Sequence, residues 1–375
     1  MKNKMPLDGL GLGHDSGSVH CDMLKMLCFR TAWGGVIVLA SLILMSSCAD
    51  DSEKKMIVCW GDSLTAPHNS KGVKQFVKDM VSSLYEFDYS YPAQMKDMLP
   101  EDFEIVNCGV GGENTLAIMG RQGAAPLLLA HDVTDHKENM VVIGNCDITA
   151  FVSSWDSTST VYILNQSYWK EGGSHVNPAF INGKEVELDS NDSYFYKDGE
   201  KYYSEYTYRL TMKGDRSEKT HDTLRAMSPI TTQAMRDYRR AWCNVFFMGQ
   251  NGGYRDAADL IAQFKAMIKY SKCDRYIIVS HHVPNGVETT TERMAEVEDS
   301  LQMAFGNRYI NLRKEMISNG LRLAGLTATK EDRDSIAHHQ VPPQLLIDKC
   351  HFTKDGYNVL AELVAQRIKK LYINK

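Results

Sequence analysis

Met56-Ile57-Val58-Cys59-Trp60-Gly61-Asp62-Ser63-Leu64 joins an apolar run to a glycine and a short polar turn. A continuous apolar run of this length, closed by glycine, is the form of a strand buried on both faces, as in a parallel sheet covered by helices. Downstream, Val73, Phe76, Val77, Met80, Val81 and Leu84 recur at helical spacing between lysines and Asp79, which predicts an amphipathic helix. Ser90-Tyr91-Pro92 offers a cap and an early-turn proline to a second helix reaching Met98. The alternation continues with strands over 103–107, 245–248, 276–280 and 309–312, and helices over 257–268, 291–305 and 356–371. Strands alternating with helices imply an α/β fold built on a doubly wound parallel sheet.

One segment breaks the pattern. Residues 148–233 are aromatic and turn-rich, with Asn182-Gly183 and Asp198-Gly199 each set between strand-like runs, a strong two-residue hairpin signal. Tyr206, Tyr208, Leu210 and Met212 alternate with polar residues, as in a half-buried strand. The expected organisation is therefore a leader over 1–48, an α/β domain in two parts over 54–147 and 234–375, and a β-rich insertion between them. Tyr194, Tyr196 and Tyr202 of the insertion can either fill a small sheet core or present rings to a sugar.

With 42 Lys and Arg against 47 Asp and Glu, the net charge is -5, so no basic surface points to nucleic acid. No internal repeat is present. Residues 31–49 form an uncharged run with an apolar centre, preceded by Lys25 and Arg30, the layout of a signal peptide. It closes on Leu44-Met45-Ser46-Ser47-Cys48, which resembles a bacterial lipobox, with Cys48 as the lipidated residue. The expected location is the cell envelope, held to a membrane by that lipid, with a periplasmic or secreted form as the alternative. An oxidising envelope permits disulfides among Cys59, Cys108, Cys146, Cys243, Cys273 and Cys350, although Cys59, Cys108 and Cys243 sit in or beside strand-like runs as small hydrophobes would. No Cys-x-x-Cys pair occurs, and no metal or other cofactor is expected.

The chemistry gathers at strand ends. Gly61-Asp62-Ser63-Leu64 leaves the first strand where a doubly wound sheet opens its ligand crevice. Near the other end of the chain, Asp348-Lys349-Cys350-His351 precedes the last helix. A carboxylate three residues before a histidine can accept a hydrogen bond from Nδ1 and leave Nε2 free as a base. Asn107-Cys108-Gly109-Val110-Gly111-Gly112 follows the second strand, and its glycines let backbone N–H groups approach an oxyanion. Gly249-Gln250-Asn251-Gly252-Gly253 follows the third, where Asn251 can add a side-chain donor typically worth about 3 kcal/mol in the transition state. Each segment alone also reads as a turn, a cap or a phosphate nest.

In this order the four segments resemble the SGNH/GDSL hydrolase family, over roughly residues 54–130 and 240–375. The resemblance implies a flavodoxin-like three-layer sandwich and an esterase, lipase or carbohydrate deacetylase that needs no metal. It assigns Ser63 as nucleophile and Asp348 with His351 as its partners. The oxyanion hole then comprises the Ser63 N–H, Gly112 and Asn251. The chain departs from the family pattern at Trp60, Gln250 and Gly252, which bears on substrate rather than on those roles. No Gly-x-Ser-x-Gly occurs, because Thr65 stands where the α/β-hydrolase elbow has its last glycine.

The expected activity is therefore hydrolysis of short acyl esters, such as O-acetyl groups on glycans, through an acyl-serine. A lipase or lysophospholipase at the membrane and an inert glycan-binding lipoprotein are the alternatives. His281-His282 cannot chelate one metal from adjacent strand positions and reads as pocket wall or core. His338-His339 reads as exposed loop.

Overall fold

A computed structural model describes residues 54–67, 88–134, 140–145, 147–161, 176–190, 194–198, 201–205, 207–213, 223–287 and 289–374. The helix expected over 73–84, the leader, Cys48 and Cys146 lie outside the described residues.

A five-stranded parallel sheet forms the centre of the fold. Its strands are β1 (Lys55–Gly61), β2 (Phe103–Gly109), β3 (Cys243–Phe247), β4 (Tyr276–Val279) and β5 (Tyr309–Ile310), in the order β5-β4-β3-β1-β2. All four pairings are parallel. The order reverses at β1, and such a switch point opens a crevice beyond the carboxyl ends of the strands.

Alternate residues feed two separate cores. Ile57, Cys59, Val245, Phe247, Ile277 and Val279 pack on one face against Tyr357, Leu360, Ala361 and Val364 of the helix Lys354–Ile368. Val58, Trp60, Phe246 and Ile278 pack on the other against Leu260 and Phe264 of Ala257–Ser271 and Leu301 and Phe305 of Thr291–Phe305. This two-sided burial explains why the strands read as unbroken apolar runs. Asp256, Thr290 and Thr353 each cap one of these helices with a side-chain oxygen, satisfying N–H groups that the first turn cannot pair.

Antiparallel strands form further sheets. Ile230–Thr231, Ala179–Ile181, Lys184–Ser190, Thr207–Met212 and Met140–Asn145 make one sheet in that order. The Asn182-Gly183 turn adopts positive φ at both residues, 52° and 78°, as a hairpin turn of this length requires. Tyr194–Asp198 pairs antiparallel with Lys201–Glu205, while the side chains of Tyr194, Tyr196 and Tyr202 lie outside the description. Tyr208 is buried and packs its ring 5.4 Å from Phe151.

The antiparallel pairing begins upstream of residue 148. Met140–Asn145 pairs with Thr207–Met212, and Leu127–Leu129 with Phe151–Ser153. Met140–Asn145 lacks the alternation of a half-buried strand, because it is an edge strand with a register shift opposite Tyr208 and Arg209. Cys59, Cys108, Cys243, Cys273 and Cys350 are all unbridged, the first three being fully buried as small hydrophobes. Among the described residues, no helix is long and apolar enough to cross a membrane.

Candidate active site

Gly61 ends β1 because nothing larger fits. A Cβ there would lie 2.1 Å from Thr65 Oγ1 and 2.6 Å from the Phe247 carbonyl. The chain then turns at once. The Asp62 carbonyl accepts from the Thr65 and Ala66 N–H groups at 3.0 and 2.9 Å, and Asp62 Oδ1 accepts from the Leu64 N–H at 2.9 Å. Asn107 at the end of β2 donates to the Thr65 carbonyl at 2.8 Å, and Gly109 approaches so closely that its Cβ would meet Ala66 N at 2.3 Å. Ser63 is thereby carried on a turn held from both sides.

The final helix brings the partner. His351 Nε2 lies 2.9 Å from Ser63 Oγ across 288 residues of chain, and His351 Nδ1 lies 2.8 Å from Asp348 Oδ2. Asp348 Oδ1 accepts the N–H groups of Cys350 and His351, each at 2.6 Å. Partial burial pushes the Asp348 carboxyl up, but the bonds from the His351 ring and from these two N–H groups outweigh it and hold the group down to about 2. A carboxylate ionised over that range fixes the imidazole tautomer with its proton on Nδ1 and a lone pair toward the serine.

Asn251 and the loop bearing Gly112 meet beside this pair. Asn251 Nδ2 donates to the Glu113 carbonyl at 3.1 Å and, over a longer 3.4 Å, to Asp62 Oδ2. Gly112 takes a φ of 80°, which bends the loop so that the next residue can receive Asn251. The sequence-predicted residues Ser63, Gly112, Asn251, Asp348 and His351 are thus gathered at the carboxyl ends of β1, β2 and β3 and the start of the last helix.

Three groups support these residues. Asp62 is 1 % exposed, and burial pushes its carboxyl up to about 7, the Leu64 N–H and the charge of His351 opposing the shift and Glu113 adding to it. Glu113 and Arg121 form a fully buried ion pair at 2.8 Å, and Arg121 also donates to the Cys108 carbonyl at 2.9 Å. Burial raises the Glu113 carboxyl, with Arg121 opposing. This pair anchors the glycine loop to the end of β2, and losing one partner of such a pair leaves an uncompensated charge. The third group is His282, whose Nε2 lies 2.8 Å from the Cys350 carbonyl while its ring stacks on Phe352 at 4.4 Å. His281 is buried against Gly249, where a Cβ would meet its Nδ1 at 2.9 Å. His338 and His339 are exposed.

A cleft of about 920 Å³ adjoins the relay and is lined in part by Gln250, Asn251, His282, Asp348, Lys349 and His351. Among the described residues, no group of three or more His, Cys, Asp or Glu side chains is placed to hold a metal ion.

No protein family matches the chain, and no curated protein matches it. Among solved structures, a carbohydrate acetylesterase family member from Sinorhizobium meliloti aligns at a TM-score of 0.35 and 11% identity, covering 86% of this chain and 100% of that one. A likeness so distant says nothing about chemistry in this chain. The fold is α/β, with a five-stranded parallel sheet and additional antiparallel sheets.

Proposed function

We propose that the chain is a serine esterase of the SGNH/GDSL type that hydrolyses short acyl esters, such as O-acetyl groups on glycans. The observation that carries the reading is the continuous relay from Ser63 Oγ through His351 to Asp348, at 2.9 and 2.8 Å. Distances of this size suit proton transfer from a hydroxyl to an imidazole base.

The steps follow from the positions. Ser63 Oγ attacks the ester carbonyl as its proton passes to His351 Nε2, and Asp348 stabilises the imidazolium that forms. The negative oxygen is received by the Ser63 and Gly112 N–H groups and by Asn251 Nδ2. Asn251 is prepared for this, since its 3.4 Å contact with Asp62 is long enough to be exchanged for a stronger one. Collapse breaks the bond to the alcohol oxygen, which leaves with the proton from His351. Water, deprotonated by the same imidazole, then releases the acid from Ser63. Purified protein is expected to turn over p-nitrophenyl acetate and to slow as the acyl chain lengthens. No turnover above buffer with any chain length removes the reading, and a preference for the palmitate ester redirects it to lipids.

The reading extends to location. Cys48 is proposed as a lipid attachment point that tethers the enzyme in a bacterial envelope, supported by the apolar run and the small residues before the cysteine. In a bacterial host, labelled palmitate is expected in the wild type and not in Cys48→Ala. Equal labelling of both counts against this site.

A further inference from the structure

An asparagine side chain has two ends of nearly equal size, and only the amide nitrogen can donate to an oxyanion. What faces Asn251 therefore decides which end it presents. Two acceptors meet its Nδ2, the Glu113 carbonyl at 3.1 Å and Asp62 Oδ2 at 3.4 Å. The first is backbone and cannot change its sense. The second belongs to a residue only 1 % exposed, next in the chain to the nucleophile, whose other carboxyl oxygen accepts the Leu64 N–H at 2.9 Å.

As a carboxylate, Asp62 offers two acceptors and no donor. It matches both the Leu64 N–H and the Asn251 NH₂, and an inverted amide would set oxygen against oxygen at both of these Asn251 contacts. Protonation changes one side of the match. Oδ1 faces an N–H donor, so the proton goes to Oδ2, where a hydroxyl group opposes the Asn251 NH₂ and suits the inverted amide better. Burial raises the Asp62 carboxyl to about 7, so both forms occur near neutral pH. The titratable and charged groups that face it are His351, Glu113 with its partner Arg121, Tyr91, Cys350 and Tyr357. Burial holds Tyr91 and Tyr357 well above their ordinary values and pushes Cys350 up to about 12, so these three stay neutral there. The charges that Asp62 meets are those of His351 and of the Glu113–Arg121 pair.

We propose that Asp62 is a positioning residue of the oxyanion hole, whose carboxylate turns the Asn251 NH₂ toward the nucleophile and whose protonation lets that amide turn away. The proposal rests on the esterase reading and adds to it a proton-dependent control of the same site. In the transition state the negative charge of Asp62 favours the imidazolium and opposes the oxyanion, two effects of opposite sign. The orientation of the amide acts only through Asn251.

A double-mutant cycle on kcat/KM for p-nitrophenyl acetate tests that dependence. Asp62→Asn keeps an oxygen for the Leu64 N–H but sets one NH₂ against another. At about pH 8.5 it is expected to lower kcat/KM roughly tenfold or more in the wild-type background. In the Asn251→Ala background, where no amide is left to orient, the expected loss is less than about threefold. Equal losses in the two backgrounds, or no loss in the first, overturn the proposal. A second measurement needs no change at Asp62. The ratio of wild-type to Asn251→Ala kcat/KM, from which the ionisation of His351 divides out, is expected to rise roughly tenfold between about pH 5.5 and 8.5, with its midpoint near about 7. A ratio that stays flat overturns the proposal even where Asp62→Asn does not fold. Turnover that depends on Ser63 alongside either negative result leaves the esterase reading standing, and absence of turnover in the wild type overturns both.

Discussion

Ser63→Ala is expected to lower kcat for p-nitrophenyl acetate by roughly 10⁴-fold or more, while leaving the protein folded. The size follows from losing the atom that forms the acyl-enzyme, since removing the nucleophile of such a unit costs about as much as removing the whole unit. The fold should tolerate the change because the turn is held by backbone and by neighbours, namely the Asp62 carbonyl, the Asp62 carboxyl and Asn107, and not by the Ser63 hydroxyl. One hydrogen bond of a part-buried hydroxyl is lost, worth about 1 kcal/mol. Steady-state kinetics beside a urea denaturation curve read both quantities. A folded Ser63→Ala protein that hydrolyses the ester at the wild-type rate would falsify the mechanism.

The second large effect belongs to Asp348→Asn, expected to reduce kcat roughly 10⁴-fold at pH 7. The shape of the side chain is preserved but the donor sense is reversed. With Oδ1 still accepting from the Cys350 and His351 N–H groups, the new amide NH₂ faces His351 Nδ1. The ring must then present a lone pair to it and carry its proton on Nε2, aimed at Ser63 Oγ, where no proton can be accepted. Asp348→Ala lets water take the Nδ1 proton, so it is expected to be no worse than Asp348→Asn. An alanine variant clearly slower than the asparagine variant contradicts this account of the tautomer. The carboxylate also has a pH signature. Its folded-state value of about 2 lies below the ordinary carboxylate value of about 3.9. Its contribution to stability is therefore present above about pH 4 and is lost as the pH falls toward 2. Loss of activity between pH 8 and 5 does not arise from Asp348, which stays ionised throughout.

The parts of the site that could be read along the chain are those whose geometry is local. Asp348 and His351 are three residues apart, and their bond needs only one turn of chain, so spacing alone announced it. Ser63 follows a strand whose apolar run and terminal glycine are visible in the sequence, and a parallel sheet places such ends together. The supporting groups are different. Asp62 could be read as ordinary turn chemistry, and only its enclosure beside Asn251 and Glu113 makes it a group titrating near 7. Arg121 is eight residues from Glu113, a separation that carries no signal until the loop folds back on its helix. His282 bonds a carbonyl 68 residues away. Met140–Asn145 escaped notice because an edge strand with a register shift loses the two-residue alternation that identifies strands.

Local hydrophobic order, capping residues and turn glycines therefore pointed to the α/β character and to the principal strands and helices among the described residues, while the motifs at strand ends, through their resemblance to a known family, pointed to Ser63, Asp348 and His351. These depend on interactions within a few residues, whose energies the side chains largely carry with them. Tertiary structure alone decided that Ser63 and His351 meet at 2.9 Å and that Asp62 and Glu113 are shut away from water. Burial and long-range hydrogen bonding depend on what the rest of the chain packs against a residue, and no sequence neighbour of that residue encodes it.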